Sequence, residues 1–406
     1  MINMAGAKKL PNHGDLQPFN HAVAGHDGTL SDPDGTLFIK PCVQQEIDFY
    51  EQAKDHPEFA ALMPVYLGTL SLNDMTGVKD LDEQIPAVCE SLSQELKEEA
   101  VHRAKVETIR AKTEAAAAAS DASSDTPTDS DSNIGWKPNK NRKITTNKSV
   151  VLESSTHGFK KPNILDAKLG RRLWADDAPL EKRKRFDEIT KATTNGSHGF
   201  RIAGMRIYKG SDNPDELDED SYRVYNKDYG RFQVNKDNLV DEIRKFIFNP
   251  RAGIDEELGQ AVAQLFLEDL RHVERVLASE ETRMYSASLL FTFEGDGEAL
   301  RDAIEQMNQL AAQEKTEKVQ RHEDVLANIQ APMEPIEGDI TVMELMGDVA
   351  DGEEEEDEED LTNLPRIYSL KLIDFAHAEW VPGQGPDENS LIGVRSLIKI
   401  FEELAQ

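Results

Sequence analysis

The chain has 406 residues, of which 38% are hydrophobic and 30% are charged, and its formal net charge is −31. A charge of this sign argues against direct nucleic-acid binding, which needs a basic surface. The two cysteines, Cys42 and Cys89, are too few for a disulfide framework. No apolar run approaches the roughly 18 residues of a membrane span, so we expect a soluble intracellular protein without a transmembrane segment.

The first part of the chain predicts, in order, a strand at 36–40, a helix at 46–55, an extended apolar segment at 62–70 and an amphipathic helix at 92–109. An Ala/Ser/Asp/Thr tract at 115–133 follows. A tract of this composition cannot bury a core. We therefore expect a disordered insert at about 111–147.

The second part of the chain alternates predicted strands with helices. The strands are expected at 148–153, 162–170, 199–208, 285–293 and 366–375, and the helices at 181–191, 240–248, 256–278 and 391–404. Nine carboxylates lie within 351–360, so we expect a solvated acidic insert at about 325–362. This pattern predicts an α+β protein in two lobes, an N-terminal lobe at 1–150 and a C-terminal lobe at 151–406.

The strand at 162–170 holds a carboxylate and an ammonium two residues apart. Because side chains along a strand alternate between two faces, Asp166 and Lys168 share one face, and the apolar Leu165, Ala167 and Leu169 fill the other. A bare Asp-x-Lys pair is most often a surface ion pair. Opposite charges held side by side also suit a site that binds phosphate and orients a hydroxyl, so both interpretations stay open.

Two further patterns suggest phosphoryl transfer. The last strand delivers Asp374 at its end, where a carboxylate can bind Mg²⁺ or cap a turn. Lys40 ends an apolar strand and Glu46 follows on the predicted helix. A strand lysine paired with a helix glutamate positions ATP phosphates in protein kinases, although an exposed lysine at a strand end explains Lys40 equally well.

The order of these residues, from Lys40 and Glu46 through Asp166 and Lys168 to Asp374, is the order of a two-lobed ATP-dependent kinase. Protein kinases carry a His-Arg-Asp pattern with a following Asn, and an Ala-Pro-Glu. Neither pattern occurs in this sequence. The chain is therefore not a protein kinase.

Three motifs carry a family resemblance: Pro162-x-x-x-Asp166-x-Lys168-x-Gly170, Ser288-Leu289-Leu290 and Ile373-Asp374-Phe375-Ala376-His377. They resemble the signatures of the inositol polyphosphate kinases, and the resemblance spans residues from about 20 to 404 apart from the inserts. It is strongest to the fungal inositol polyphosphate multikinases. It implies a two-lobed, kinase-like α+β fold with disordered inserts.

The resemblance also implies a nucleotide site that uses ATP and Mg²⁺. In it, Lys40 would hold the α- and β-phosphates of ATP and Glu46 would orient Lys40. Leu152 and Glu153 would form the hinge that reads adenine through the backbone. Asp166 would touch either the ATP ribose or the reacting hydroxyl.

The implied catalytic, substrate-binding and metal-binding groups follow in the second lobe. Lys168 would bridge the inositol phosphate and the γ-phosphate, and His377 would contact the inositol phosphate. Asp374 and Ser288 would bind Mg²⁺. Family members often carry a serine before Ser288, where this sequence has Ala287, so only Ser288 can supply a hydroxyl here.

A basic cluster, Lys182-Arg183-Lys184-Arg185, stands out in this acidic chain. The resemblance places it on a substrate-binding helix at about 175–195, where Lys182 and Arg185 would grip inositol phosphates. A nuclear localisation signal is the alternative reading.

The resemblance implies phosphorylation of soluble inositol tris- and tetrakisphosphates towards pentakisphosphate. Two alternatives remain: a narrower inositol trisphosphate or hexakisphosphate kinase, and a kinase-like scaffold in a transcription complex. We expect a monomer in nucleus and cytoplasm, with transcription-factor partners as a further expectation.

Overall fold

A computed structural model describes residues 16–19, 23, 28–71, 146–310 and 366–406. The predicted helix at 92–109, the tract at 115–133 and the acidic insert at 325–362 lie outside these residues. Within them, the chain is an α+β protein, as predicted. None of the helices in this part combines the length and apolar character that crossing a membrane requires.

The described residues divide into two units. Unit 1 lies within Met1–Asn20, Gly25–Ile47 and Val65–Ser154, and unit 2 lies within His21–Ala24, Asp48–Pro64 and Ser155–Gln406. The boundary predicted at residue 150 thus falls inside a strand of unit 1. Segment Asp48–Pro64, which the sequence assigns to the N-terminal lobe, belongs to unit 2 because its aromatic side chains pack against Phe375 and Trp380.

The strands of unit 1 are β1 (Gln17–Pro18), β2 (Leu30–Ser31), β3 (Leu37–Pro41), β4 (Tyr66–Ser71) and β5 (Lys148–Glu153). They pair antiparallel in the order β1-β2-β3-β5-β4. The β-branched and aliphatic run of β5 supplies the core of this sheet, with Val150, Val151 and Leu152 buried. The predicted strands at 36–40 and 148–153 are confirmed.

Helix α1 (Gln44–Gln52) follows β3, and a turn of 3₁₀-helix and the short α2 (Pro57–Ala61) follow it. Within unit 2, Phe49 of α1 stacks on Phe375 at 4.9 Å and on Trp380 at 5.0 Å between ring centroids. Phe59 of α2 meets Trp380 edge-on at 5.0 Å. These aromatic contacts fix the chain directly after Asp374.

The main sheet of unit 2 contains β6 (Pro162–Leu169), β7 (Phe200–Tyr208), β8 (Tyr222–Tyr225), β10 (Ser288–Glu294) and β11 (Tyr368–Ile373). Its order is β11-β10-β6-β7-β8, and all neighbours are antiparallel. A separate ribbon pairs β9 (Thr282–Met284) with β12 (Ala378–Trp380).

Two long helices, α7 (Glu256–Ser279) and α9 (Glu388–Leu404), cover one face of this sheet. Phe266 of α7 lies 5.1 Å from Phe291 of β10, and Phe401 of α9 stacks on Phe291 at 5.4 Å. The apolar face of each strand is therefore buried against helices. The opposite face carries the polar residues of the motifs.

The remaining helices of unit 2 are α3 (Leu180–Ala192), α4 (Thr194–His198), α5 (Lys227–Phe232), α6 (Leu239–Ile247) and α8 (297–310). The predicted helices at 181–191, 240–248, 256–278 and 391–404 are confirmed. Helices α4, α5 and α8, strand β8 and the β9–β12 ribbon are absent from the prediction. The strand predicted at 285–293 begins later, at Ser288, because Ser286 adopts a left-handed backbone with φ of 64°.

Asp387 joins helix α9 to strand β9. Its carboxylate accepts hydrogen bonds from the N–H and hydroxyl of Ser390 at 3.1 and 2.9 Å and from the N–H of Met284 at 2.8 Å. The residue is 2% exposed. One buried side chain therefore caps a helix and satisfies a strand end.

We expect Asp387→Ala to lower the free energy of unfolding by about 2 kcal/mol or more, because it removes a helix cap and leaves buried donors unpaired. Asp387→Asn keeps an acceptor oxygen and should lose less. Urea denaturation of both variants measures the difference. Equal stability of Asp387→Ala and the unchanged protein would contradict this role.

Candidate active site

The register of the unit 2 sheet assembles the polar motif residues on one face. Lys168 of β6 lies opposite Ser288 of β10, and Ser288 lies opposite Ile373 of β11. Directly paired residues of antiparallel strands point to the same face. Asp166 precedes Lys168 by one full period of the strand and shares this face, as predicted.

Lys168 reaches the ends of two neighbouring strands. Its Nζ donates to the carbonyl oxygen of Ser286 at 2.6 Å and lies 3.4 Å from Oδ2 of Asp374. Ser286 and Asp374 both have left-handed backbones, with φ of 64° and 69°. Such conformations are unfavourable for residues other than glycine, and they cluster at functional sites. The two turns aim both oxygen acceptors at one ammonium.

Asp166 lies deeper than Lys168. The residue is 3% exposed, and burial raises the pKa of its carboxyl group. The ammonium of Lys168 opposes this rise in pKa, and the negative charge of Asp374 adds to it. The three charges therefore act on one another.

Helix α3 brings the predicted substrate-binding lysine to this group. Nζ of Lys182 lies 3.3 Å from Nε2 of His377, the last residue of the third motif. Burial and the positive charges of Lys182 and Lys168 lower the pKa of His377, while Asp177 opposes this. The imidazole and the two ammonium groups form a cationic patch beside Asp374. Arg185 is exposed on the same helix, and its charge acts on Arg231 of α5.

Helix α3 has no buried residue, so polar contacts hold it in place. Nε1 of Trp174 donates to Asp187 at 2.8 Å, and Nε of Arg183 donates to the carbonyl oxygen of Ala178 at 2.7 Å. The Arg183 guanidinium also lies over the Trp174 ring. The loop before the helix therefore fixes its position.

In unit 1, Lys40 of β3 and Glu46 of α1 form the predicted ion pair, with Nζ 2.8 Å from Oε1. Both residues are buried, so the charges are shielded from water. The pair holds the lysine side chain in one direction. Cys42 lies in the same unit, and burial raises the pKa of its thiol to about 11, so this cysteine is not a reactive group.

The proposed hinge residues Leu152 and Glu153 end β5. Leu152 pairs with Phe38 on one side and Tyr66 on the other. The N–H of Glu153 donates to the carbonyl oxygen of Val65 at 2.9 Å. This donor is already used inside unit 1, so the assignment of adenine recognition to these residues stays a prediction.

The carboxylates of Asp166 and Asp374 are the groups best suited to a divalent ion. The negative charge of Asp374 raises the pKa of Asp166, and a bound cation would relieve this repulsion. Carboxylate oxygens are the ligands that hard divalent ions prefer. The described residues contain no cluster of three His, Cys, Asp or Glu side chains able to hold a metal by themselves. Two carboxylates with substrate phosphates still fit Mg²⁺ or Mn²⁺, which are commonly held this way.

The hydroxyl of Ser288, the second predicted metal ligand, lies beside Asp166 rather than in the open. Ser288 is fully buried, and its hydroxyl has no hydrogen-bond partner among the described residues. It is close enough to Asp166 to lower the pKa of that carboxyl group. Its role at a metal stays a prediction.

Arg201 of β7 lies opposite Lys168 and completes the row, although the sequence analysis does not select it. The alternation of Phe200, Arg201 and Ile202 is the signal that places it on the polar face. The structure thus assembles Asp166, Lys168, Ser288, Asp374, His377 and Lys182 in unit 2, and Lys40 with Glu46 in unit 1.

Replacing Lys182 by Met removes the positive charge 3.3 Å from the His377 ring, so we expect the pKa of His377 to rise towards 6.5. Titration of the histidine ring protons by NMR measures it, and Lys191→Met on the exposed side of the same helix is the matched control. Because the folded-state pKa is lowered, the stability contributed by neutral His377 is present above about pH 6.5 and is lost as the pH falls through the folded pKa. An unchanged His377 pKa in Lys182→Met would refute the contact.

Comparison with known proteins identifies the family of the chain. The inositol polyphosphate kinase family matches residues 149–402 of the chain. An inositol polyphosphate multikinase of Saccharomyces cerevisiae is 32% identical over 94% of this chain and 96% of its own length. An inositol hexakisphosphate kinase 1 of Mus musculus is 25% identical over 96% of this chain and 93% of its own length.

A solved structure shows the same fold. The crystal structure of an inositol phosphate multikinase from S. cerevisiae, in complex with ADP and Mn²⁺, matches with a TM-score of 0.53 and 25% identity. The match covers 92% of this chain and all of that chain. Together with the motif geometry, these matches show that the chain belongs to the inositol polyphosphate kinase family.

Proposed function

We propose that the protein is an ATP-dependent inositol polyphosphate multikinase, which phosphorylates inositol tris- and tetrakisphosphates towards pentakisphosphate. The observation that carries the proposal is the position of Lys168. Its ammonium group pairs with Asp374 and lies near Lys182 and His377, which belong to the same cationic patch. Carboxylates for a metal and cations for phosphates lie side by side there. The names of the S. cerevisiae relative and of the matching structure support the multikinase assignment.

In this proposal the buried Lys40–Glu46 pair provides the lysine that binds the ATP phosphates. Asp374 and Asp166 hold the divalent ion, for which we propose Mg²⁺, and this ion would neutralise charge on the transferred phosphoryl group. Lys168 lies where it can neutralise the same charge.

Asp166 is suited to orient the attacking hydroxyl rather than to act as a strong base, because a bound cation would lower the pKa that burial raises. Lys182, Arg185 and His377 bind the phosphates of the inositol substrate. Neutral His377 can take up a proton when a phosphate dianion approaches.

Two other functions differ in their products. A narrower kinase would make one product from a trisphosphate or act on a hexakisphosphate. The similarity to the hexakisphosphate kinase of Mus musculus is a reason to test the hexakisphosphate as a substrate as well. A kinase-like scaffold in a transcription complex would make none. The geometry of Lys168, Asp374 and the Lys40–Glu46 pair favours an enzyme over a scaffold.

The decisive measurement is turnover of inositol 1,4,5-trisphosphate with Mg-ATP, with the products resolved by anion-exchange chromatography. We expect successive tetrakis- and pentakisphosphate peaks, and we expect Asp374→Ala to abolish both because it removes a metal-binding carboxylate. A single tetrakisphosphate peak would indicate a narrower kinase. No product from folded protein with any inositol phosphate would support the scaffold.

Lys168→Met should behave like Asp374→Ala in turnover but retain binding of ADP, because its ammonium acts on the transferred group rather than on the nucleoside. Lys245→Met is the matched control: Lys245 also pairs with a carboxylate, that of Glu242 at 2.8 Å, away from the motifs. Normal turnover in Lys168→Met would remove Lys168 from the mechanism.

We also propose that the protein is a monomer that works in nucleus and cytoplasm, with transcription factors as further partners. The basic cluster on α3 supports nuclear import, because Lys184 and Arg185 are exposed. The double charge reversal Lys182→Glu and Arg185→Glu separates the two roles of the helix. Lost substrate binding with unchanged nuclear localisation of a fluorescent fusion would assign the cluster to the substrate alone.

A further inference from the structure

Arg201 is a buried cation with no assigned role. It lies opposite Lys168 in the pairing of β7 with β6, and Lys168 lies opposite Ser288. The three side chains therefore form a row on the face of the sheet that carries Asp166. Arg201 is only 4% exposed.

The charge of Asp166 acts on the guanidinium of Arg201, but no carboxylate of the described residues forms a hydrogen bond or ion pair with it. Its Nε and Nη1 have no hydrogen-bond acceptor among the described residues. Arg206, on the same strand and equally buried, is the contrast. Its Nε also lacks an acceptor among the described residues, but its guanidinium lies 3.1 Å from a carboxylate oxygen of Asp218 and 4.0 Å from the Tyr222 ring. Buried charges in proteins are paired in the way that Arg206 is.

A second arginine, Arg231, adds to the excess of positive charge around Arg201. Gly230 lets helix α5 approach β7 closely, since a Cβ atom at this position would lie 1.8 Å from the carbonyl oxygen of Ile202. The approach places the charge of Arg231 near Arg201, and burial together with this charge lowers the pKa of Arg201 to about 10. Nε of Arg231 has no acceptor in the described part of the chain either, and its nearest carboxylate, that of Asp228, is 3.7 Å away.

Arg185 of α3 extends the group to the surface, because its charge acts on Arg231. The guanidinium groups of Arg185 on α3, Arg231 on α5 and Arg201 on β7 thus form a series from the exposed surface to the buried face beside Asp166. Neighbouring cations with unused N–H donors are unfavourable unless an anion joins them, and the planar guanidinium is suited to phosphate.

We propose that Arg201 and Arg231 form an anion subsite that receives one phosphate group of the inositol polyphosphate. The inference rests on the proposed function for the identity of the ligand. An inositol polyphosphate carries phosphates on different sides of its ring and so needs separate subsites. The patch of Lys182 and His377 is one of them, and the arginine pair is a second. Helix α3 contributes to both, which favours the inositol phosphate over ATP as the occupant.

The test compares Arg201→Met with Arg206→Met, which changes a buried arginine of the same strand that already has partners. Isothermal titration calorimetry of the full chain without nucleotide measures affinity for inositol 1,4,5-trisphosphate, and inorganic pyrophosphate serves as a second probe. Thermal unfolding and the KM for ATP are measured on the same proteins. Arg231→Met changes the second, less buried arginine of the subsite, and its affinity for the trisphosphate is measured in the same way.

We expect Arg201→Met to weaken trisphosphate binding by about tenfold or more, the loss typical of a charge-assisted hydrogen bond, with the KM for ATP unchanged. Its Tm should stay close to that of the unchanged protein, because the substitution leaves no hydrogen-bonded carboxylate without its partner. Arg206→Met should instead lower the Tm and leave trisphosphate binding intact.

Unchanged trisphosphate affinity in Arg201→Met and Arg231→Met would overturn the subsite and leave the proposed function standing. A raised KM for ATP in Arg201→Met would overturn it as well, because the anion would then belong to the nucleotide. If the unchanged protein binds pyrophosphate through Arg201 but neither binds nor phosphorylates the trisphosphate, the anion subsite holds and the proposed function fails.

Discussion

The pairing of β6 between β10 and β7 is the constraint on which the unit 2 site depends. Lys168 takes its position from Ser288 on one side and Arg201 on the other. A slip of one residue in either pairing would turn Asp166 and Lys168 into the apolar core and expose Leu165 and Leu169 to water. Burial of the apolar face therefore fixes the direction of the charged side chains, and the chemistry of the site follows from the packing of the core.

Much of this arrangement is predictable from local patterns. The two-residue alternation in β6 predicts that Asp166 and Lys168 share a face, and the run that ends at Asp374 predicts a carboxylate at a strand end. Helical spacing predicts α7 and α9 closely. The residue spacing from Lys40 to Glu46 also suggests the ion pair that unit 1 forms. In each case the signal lies within about ten residues, where strand and helix periods operate.

The unpredicted features depend on contacts between distant parts of the chain. Two helices, α3 and α4, separate Lys168 from Arg201 along the chain, and only the strand register brings the two residues together. The ribbon of β9 and β12 joins segments about a hundred residues apart, and its strands are too short to show alternation. The apolar composition of 285–293 predicts a strand that begins at residue 285. The left-handed turn at Ser286 makes strand β10 begin later, at Ser288. Asp48–Pro64 joins unit 2 through aromatic packing that no local pattern indicates.

Helix α3 has a consequence for how such a protein can change over time. Because none of its residues is fully buried, substitutions at its basic positions can change the surface charge while the hydrophobic core stays as it is. Residues of β6 have no such freedom, since each contributes to core packing or to the row of charges. Selection can therefore change the charge of this partly exposed helix at little risk to folding. The charge of this surface can diverge while the residues of β6 that pack the core stay the same.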